Sequence, residues 1–124
     1  MIFYFGPVVT YSTTGKTAKG KALQELALRF KDVLVRGDTA TIAKIVSALR
    51  DQAAAIDKNS RGGVPTFVSV TFDNRGDSGQ IDAVPASDSG RFNERAYFRI
   101  TFKTAAALLT GPEAIALAQK GGAL

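Results

Sequence analysis

A strict alternation of apolar and polar side chains runs from residue 95 to residue 103. Its apolar positions are Ala96, Phe98, Ile100 and Phe102, and its remaining positions are Arg95, Tyr97, Arg99, Thr101 and Lys103. Successive side chains of a strand point to opposite faces of its sheet, so this pattern predicts a strand. One face of the strand is expected in the core, and the other is expected to be basic and aromatic.

A second strand is predicted at the start of the chain. Residues 2–11 are rich in aromatic and β-branched side chains, which favour extended structure. The Gly6-Pro7 step inside this segment predicts a bulge, or confines part of the strand to a sheet edge. The chain then enters residues 10–21, which carry hydroxyl groups and lysines but no acidic residue and are expected to form a flexible basic loop.

A β-hairpin is predicted in the second half of the chain. Residues 66–73 alternate, with Val68, Val70 and Phe72 on one face. The glycine, asparagine and aspartate residues that follow tolerate tight reversals, so residues 80–84 are expected to return as the partner strand.

Apolar residues at three- and four-residue spacing predict two central helices. The first is expected over residues 21–35, closed by a left-handed cap at Gly37. The second is expected to begin at Asp38 or Thr39 and to run to about Lys58. Because the predicted connection between them is short, we expect an antiparallel or angled helix pair.

The order of these elements predicts a single α+β domain over residues 1–124. We expect a mainly antiparallel sheet, made of the N-terminal strand and a three-stranded segment over residues 66–103. Two central helices and a short, broken C-terminal helix over residues 104–120 are expected to pack on one face of this sheet.

Composition narrows the classes of function. The chain contains no cysteine and no histidine, which excludes Ser-His and Cys-His catalysis and the usual zinc and haem ligand sets. Asp73, Asp77 and Asp82 fall near one turn, but Arg75 and Ser78 occupy positions where a calcium loop needs an oxygen ligand and a glycine. We therefore predict a protein that is not an enzyme and that uses no metal or cofactor.

The charge favours an anionic partner, since the formal net charge is +5 and the pI is about 9.7. Arginine and lysine bind phosphates, and a tyrosine ring can stack on an unpaired base. The candidate nucleic-acid-binding residues are Lys16, Lys19, Lys21, Arg95, Tyr97, Arg99 and Lys103. A solvated strand face needs similar side chains for solubility alone, so both interpretations stay open.

Three functional hypotheses follow. The first is a structural subunit that self-associates into a larger particle, such as a phage or virus particle, with a basic surface toward nucleic acid or an acidic neighbour. It is motivated by apolar chain ends and by strand edges available for pairing. The second is a free-standing module that binds single-stranded nucleic acid. The third is a degenerate P-loop nucleotide-binding protein, suggested by Thr14-Gly15-Lys16-Thr17 between a strand and a helix.

The apolar run over residues 1–5 is too short for a signal peptide or a membrane span. The expected location is therefore the cytoplasm or an assembled particle, with copies of the chain and nucleic acid as partners and no membrane.

Overall fold

A computed structural model describes residues 1–105 together with Pro112 and Ile115, so the predicted C-terminal helix lies almost entirely outside the described residues. The main elements are β1 (Ile2–Thr10), α1 (Ala18–Leu28), β2 (Val33–Arg36), α2 (Thr39–Lys58), β3 (Thr66–Phe72), β4 (Ser78–Pro85) and β5 (Phe98–Thr104). Short 3-10 turns occupy Thr14–Lys16 and Ala86–Asp88.

The strands form one sheet in the order β2-β1-β5-β4-β3, and every neighbouring pair is antiparallel. The two helices pack on this sheet, which confirms the predicted α+β class. The sheet has five strands rather than the four that were predicted, because a short strand lies between the helices.

That short strand corrects the prediction of a helix over residues 21–35. The helix begins at Ala18, where the Thr17 side chain accepts a hydrogen bond from the Gly20 N–H, and it ends at Leu28. Val33 and Leu34 satisfied the helical spacing, but they lie in β2, which pairs with β1. The predicted cap at Gly37 is also wrong, since this residue links β2 to α2.

The turn into β2 is held by β1. Asp32 adopts a positive φ of 59°, and its N–H donates to the Phe5 carbonyl at 2.9 Å. The Tyr4 hydroxyl donates to the Asp32 carboxylate, and this bond raises the pKa of Tyr4. The chain reversal between α1 and β2 therefore depends on β1, which is distant in sequence.

The predicted irregularity in β1 is confirmed. The pairing register with β5 shifts between Phe5 and Val8, at the cis Gly6-Pro7 step. Phe3 to Phe5 pair with both β2 and β5, whereas Val8 to Thr10 pair with β5 alone. The second part of the strand is thus an edge.

The second helix also agrees with its prediction. The Asp38 carboxylate accepts from the Thr41 N–H at 3.1 Å, which lowers the pKa of Asp38, and the Thr41 hydroxyl reciprocates by accepting from the Asp38 N–H. Its buried residues are Ile42, Val46, Leu49 and Ala53.

The core lies between the helices and one face of the sheet, which we call the inner face. Phe3 and Phe5 of β1 are fully buried there beside Phe102 of β5. The ring centroids of Phe3 and Phe102 are 5.8 Å apart in an edge-to-face arrangement. Both helices contribute apolar side chains to the same cluster and cover the inner face. A binding site on the sheet would therefore lie on the opposite face, which we call the outer face, or at a sheet edge.

Candidate functional site

The inner face of β5 agrees with the alternation in the sequence. Phe98, Ile100 and Phe102 are each at most 1% exposed. Pairing of β5 with β4 and β1 puts Arg99, Thr101 and Lys103 on the outer face. The predicted division of this strand into an apolar and a polar face is therefore confirmed from Phe98 onward.

Arg99 is engaged within the molecule. Its Nε lies 2.6 Å from Asp82 Oδ1 and its second terminal nitrogen lies 3.2 Å from Asp82 Oδ2, as a two-pronged contact. Its guanidinium carbon also lies 3.9 Å from the centre of the Phe92 ring, within stacking range. Asp82 is only 9% exposed. The Arg99 charge is thus compensated and its flat face is covered.

Tyr97 departs from the predicted alternation. Its N–H donates to the Ala83 carbonyl at 2.8 Å, although Ala83 is already the register partner of Phe98. Tyr97 and Phe98 therefore both lie opposite Ala83. This arrangement is a β-bulge, which changes the direction of a side chain. The Tyr97 ring packs against the core cluster, with Lys19 Nζ of α1 5.7 Å from its centre. The prediction that Tyr97 and Arg99 share one face is wrong.

Lys19 ties three elements together. Its Nζ lies 2.6 Å from Asp57 Oδ1 of α2 and donates to the Val64 carbonyl at 2.7 Å. The Asp57 carboxylate also accepts from the Thr66 N–H at 2.8 Å. Burial favours the neutral form of Asp57, but the bonds from Lys19 and Thr66 outweigh it and lower the pKa of this carboxyl group. Lys19 therefore has a structural role.

A cleft of about 330 Å³ opens at the end of the sheet where β5 begins. Its walls include Arg95, Tyr97 and three threonines. These threonines are Thr13, Thr14 and Thr17. The Arg95 side chain is 61% exposed and lies 3.2 Å from Asp88, so its guanidinium still faces solvent. The Glu94 carboxylate lines the same cleft, so the guanidinium, phenol and hydroxyl groups that could bind a phosphate lie beside one negative charge.

The remaining candidate lysines do not converge. Lys16, Lys21 and Lys103 are exposed, and within residues 1–105 none of them makes an ion pair. Lys103 lies opposite Tyr4 near the far end of β5. The structure therefore brings Arg95 and Tyr97 together in the cleft, with Lys19 in contact with Tyr97 but outside the cleft wall, and it leaves Arg99 and Lys103 elsewhere.

The edge of the sheet at β3 carries the other candidate surface. Among the described residues no strand lies beyond β3, and its sequence from Thr66 to Phe72 has no charged residue and no proline. Phe67 is 37% exposed on the outer face. Charges, prolines and bulges normally protect such an edge from pairing with another chain.

The hydrogen bonds at both ends of the β3–β4 hairpin show which backbone groups of β3 point away from β4. The Asp73 N–H donates to the Ser78 carbonyl, and the Ala86 N–H donates to the Pro65 carbonyl. Residues of an antiparallel strand alternate between bonding to one side and to the other. Odd-numbered residues of β3 therefore bond to β4, and even-numbered residues direct their N–H and C=O groups outward.

Helix α2 supplies hydrogen-bond partners near only one end of the outward-facing backbone of β3. Asp57 accepts from the Thr66 N–H, and Arg50 Nε donates to the Val68 carbonyl at 2.9 Å. Toward the other end, the N–H and C=O groups of Val70 and Phe72 have no partner among the described residues. Sequence patterns indicated strand edges, but they could not identify β3 as the outermost strand, because strand order is a long-range property.

The described residues contain no group of three or more potential metal ligands, and none of their helices is long and apolar enough to cross a membrane. Comparison with protein-family models, curated proteins and solved structures finds no match for this chain.

Proposed function

We propose that this protein is a non-enzymatic structural subunit that associates with copies of itself. The observation that carries the proposal is the unprotected edge of β3, an uncharged strand whose outward backbone groups at Val70 and Phe72 have no partner in residues 1–105. Strand addition to such an edge supplies main-chain hydrogen bonds to an incoming chain.

The other edge of the sheet is less suitable for strand addition. The β2 strand has only four residues and ends at the exposed Arg36, and the β1 segment beyond it is interrupted at Gly6-Pro7. Short strands, charges and irregular backbone all discourage pairing. These differences support β3 as the surface for self-association.

The assembly that we propose is a shell of the phage or virus type, built from many copies of one small chain. The formal net charge of +5 suits a subunit that lies near nucleic acid. Exposed lysines such as Lys16 and Lys103 are available for that contact.

Light scattering coupled to size-exclusion chromatography tests self-association. We expect a dimer or a larger species at high micromolar concentration, and electron microscopy of the largest fraction tests for closed particles. The variant Thr71→Lys puts a charge on β3 and should shift the protein toward the monomer. Ser47→Lys adds the same charge at an exposed position on α2 and should not. A monodisperse monomer at every concentration would contradict the proposal.

Binding of single-stranded nucleic acid is a second candidate function, and the cleft beside Arg95 and Tyr97 favours it. Fluorescence anisotropy with a labelled oligonucleotide at increasing salt measures it, since phosphate contacts weaken as salt rises. Arg95→Ala should weaken binding, while Arg36→Ala, which removes the same charge from an exposed side chain that does not line the cleft, serves as a control. Equal binding by the parent and by Arg95→Ala would exclude the cleft.

A further inference from the structure

We infer that two copies of the chain pair β3 with β3, antiparallel, about a two-fold axis that passes through Val70. The inference rests on the proposed function and names the contact through which self-association begins. The product is a continuous sheet formed by two subunits, with the helices of both copies on the same side.

The direction of the backbone groups limits the possible registers. Only even-numbered residues of β3 direct N–H and C=O groups outward, so hydrogen bonds between copies must join even-numbered residues. Two identical antiparallel strands are related by a two-fold axis, and the residue on that axis lies opposite its own copy. The axis can therefore lie at Ser69, Val70 or Thr71, near the middle of the uncovered groups.

An axis at Val70 is compatible with the contacts that α2 already makes. The backbone of Val70 then hydrogen-bonds to Val70 of the second copy, and the backbone of Val68 hydrogen-bonds to Phe72 of the second copy. The single shared group is the Val68 carbonyl, which accepts from Arg50 and has a second lone pair for the Phe72 N–H of the other copy. Every outward donor from Val68 to Phe72 finds an acceptor, and no existing donor is displaced.

The two neighbouring axes are less favourable. An axis at Ser69 places Thr66 opposite Phe72 and requires the Thr66 N–H, which already donates to Asp57 at 2.8 Å. An axis at Thr71 places Val68 opposite Asn74, which lies in the turn beyond the strand. The outward N–H of Val68 then has no strand partner.

The side chains of this register are compatible with a second copy of the same chain. On the inner face, Val70 meets Val70 and Val68 meets Phe72, which are apolar pairs. On the outer face, Ser69 lies opposite Thr71, a pair that can hydrogen-bond across strands. Because β3 has no charged residue, like charges do not face each other across the axis despite the positive net charge.

Disulfide formation between copies of a single-cysteine variant reports the register directly, because the chain has no cysteine of its own. Opposed residues in a hydrogen-bonded antiparallel pair have Cα atoms about 5.5 Å apart, within disulfide range. Diagonal neighbours are roughly 7–8 Å apart. We therefore expect Val70→Cys to form a covalent dimer under mild oxidation, at a yield on the order of tenfold above Ser69→Cys and Thr71→Cys, whose thiols lie on the diagonal.

The outcomes separate this inference from the proposed function. Cross-linking of Ser69→Cys or Thr71→Cys in preference to Val70→Cys would overturn the register. A protein that associates in solution while none of the three variants cross-links would overturn pairing through β3 and leave self-association standing. A protein that remains monomeric would overturn both.

A second pair of variants tests the backbone contact without a thiol. Val70→Pro removes an outward N–H that β4 does not use, and proline is tolerated where the N–H faces away from the sheet. Val70→Ala truncates the side chain but keeps the N–H. By sedimentation velocity, Val70→Pro should weaken dimerisation on the order of tenfold relative to Val70→Ala. Equal dimerisation by the two variants would contradict the inference.

Discussion

Replacing Gly20 with alanine should destabilise the protein, although Gly20 lies in the first turn of a helix. Alanine is the better helix former, so local propensity alone predicts a gain of about 1 kcal/mol. In the folded chain, a Cβ atom at Gly20 would overlap the Thr14 carbonyl oxygen and lie 2.6 Å from the Thr14 carbonyl carbon.

The overlapped group cannot move aside freely. The Thr14 hydroxyl donates to the Tyr11 carbonyl at 2.8 Å and lies 3.1 Å from the Ala96 carbonyl. Gln24 reaches the same turn and donates to the Tyr11 carbonyl at 2.6 Å. Overpacking of this kind costs roughly 1–3 kcal/mol, and contact with backbone favours the upper end. Subtracting the gain in propensity leaves a net loss of about 2 kcal/mol.

Thermal and urea unfolding of the Gly20→Ala variant measure this loss. We expect Tm to fall by roughly 6–8 °C, at about 3–4 °C per kcal/mol for a domain of this size. Lys21→Ala, at an exposed neighbouring position, should change stability by less than about 0.5 kcal/mol. A Gly20→Ala protein as stable as the parent, or more stable, would refute the close packing of the Thr14 turn against α1.

Three further predictions concern the core and its ion pairs. Asp82→Ala should lower the free energy of unfolding in urea by about 2 kcal/mol, because it leaves the half-buried Arg99 unpaired, and a change below about 0.5 kcal/mol would contradict the pairing. The lowered pKa of Asp57 contributes stability above its usual value of 3.8 and loses it as the pH falls through the lower folded value, so Asp57→Asn should flatten the acid side of a stability–pH curve. An unchanged acid slope in this variant would count against the contact with Lys19. Phe102→Ala should cost about 3–5 kcal/mol by chemical denaturation, and a loss near 1 kcal/mol would mean that the aromatic cluster is not the centre of the core.

The parts of the fold that sequence patterns predicted correctly are those with local causes. The α2 helix has its own cap at Asp38 and a long apolar stripe, and the hairpin of β3 and β4 has its own turn. The bulge in β1 follows from Gly6-Pro7. Each of these features is set by residues close together in the chain.

The errors have long-range causes. Val33 and Leu34 match both the spacing of a helix and the residue preferences of a strand. They form a strand because they pair with Phe5 and Tyr4 of β1. This choice depends on residues far away in sequence, so periodicity could not reveal it.

The candidate site was predicted only in part for the same reason. Alternation placed Arg99 on the polar face of its strand, but it could not show that Asp82 on the adjacent strand compensates its charge. It also could not show the bulge that turns Tyr97 toward Lys19. Residue types indicated a basic surface, and the pairing of the strands determined which of those charges are available.

Amide hydrogen exchange of Val70, followed by NMR at increasing protein concentration, tests directly whether copies of the chain associate through β3. In the dilute protein the Val70 N–H points outward and should exchange quickly, whereas the Ser69 and Thr71 N–H groups, bonded to β4, should exchange slowly. We expect the N–H groups of Val70 and Phe72 to become protected as concentration rises, while those of Ser69 and Thr71 change little. Exchange at Val70 that stays fast at every concentration would contradict self-association through β3.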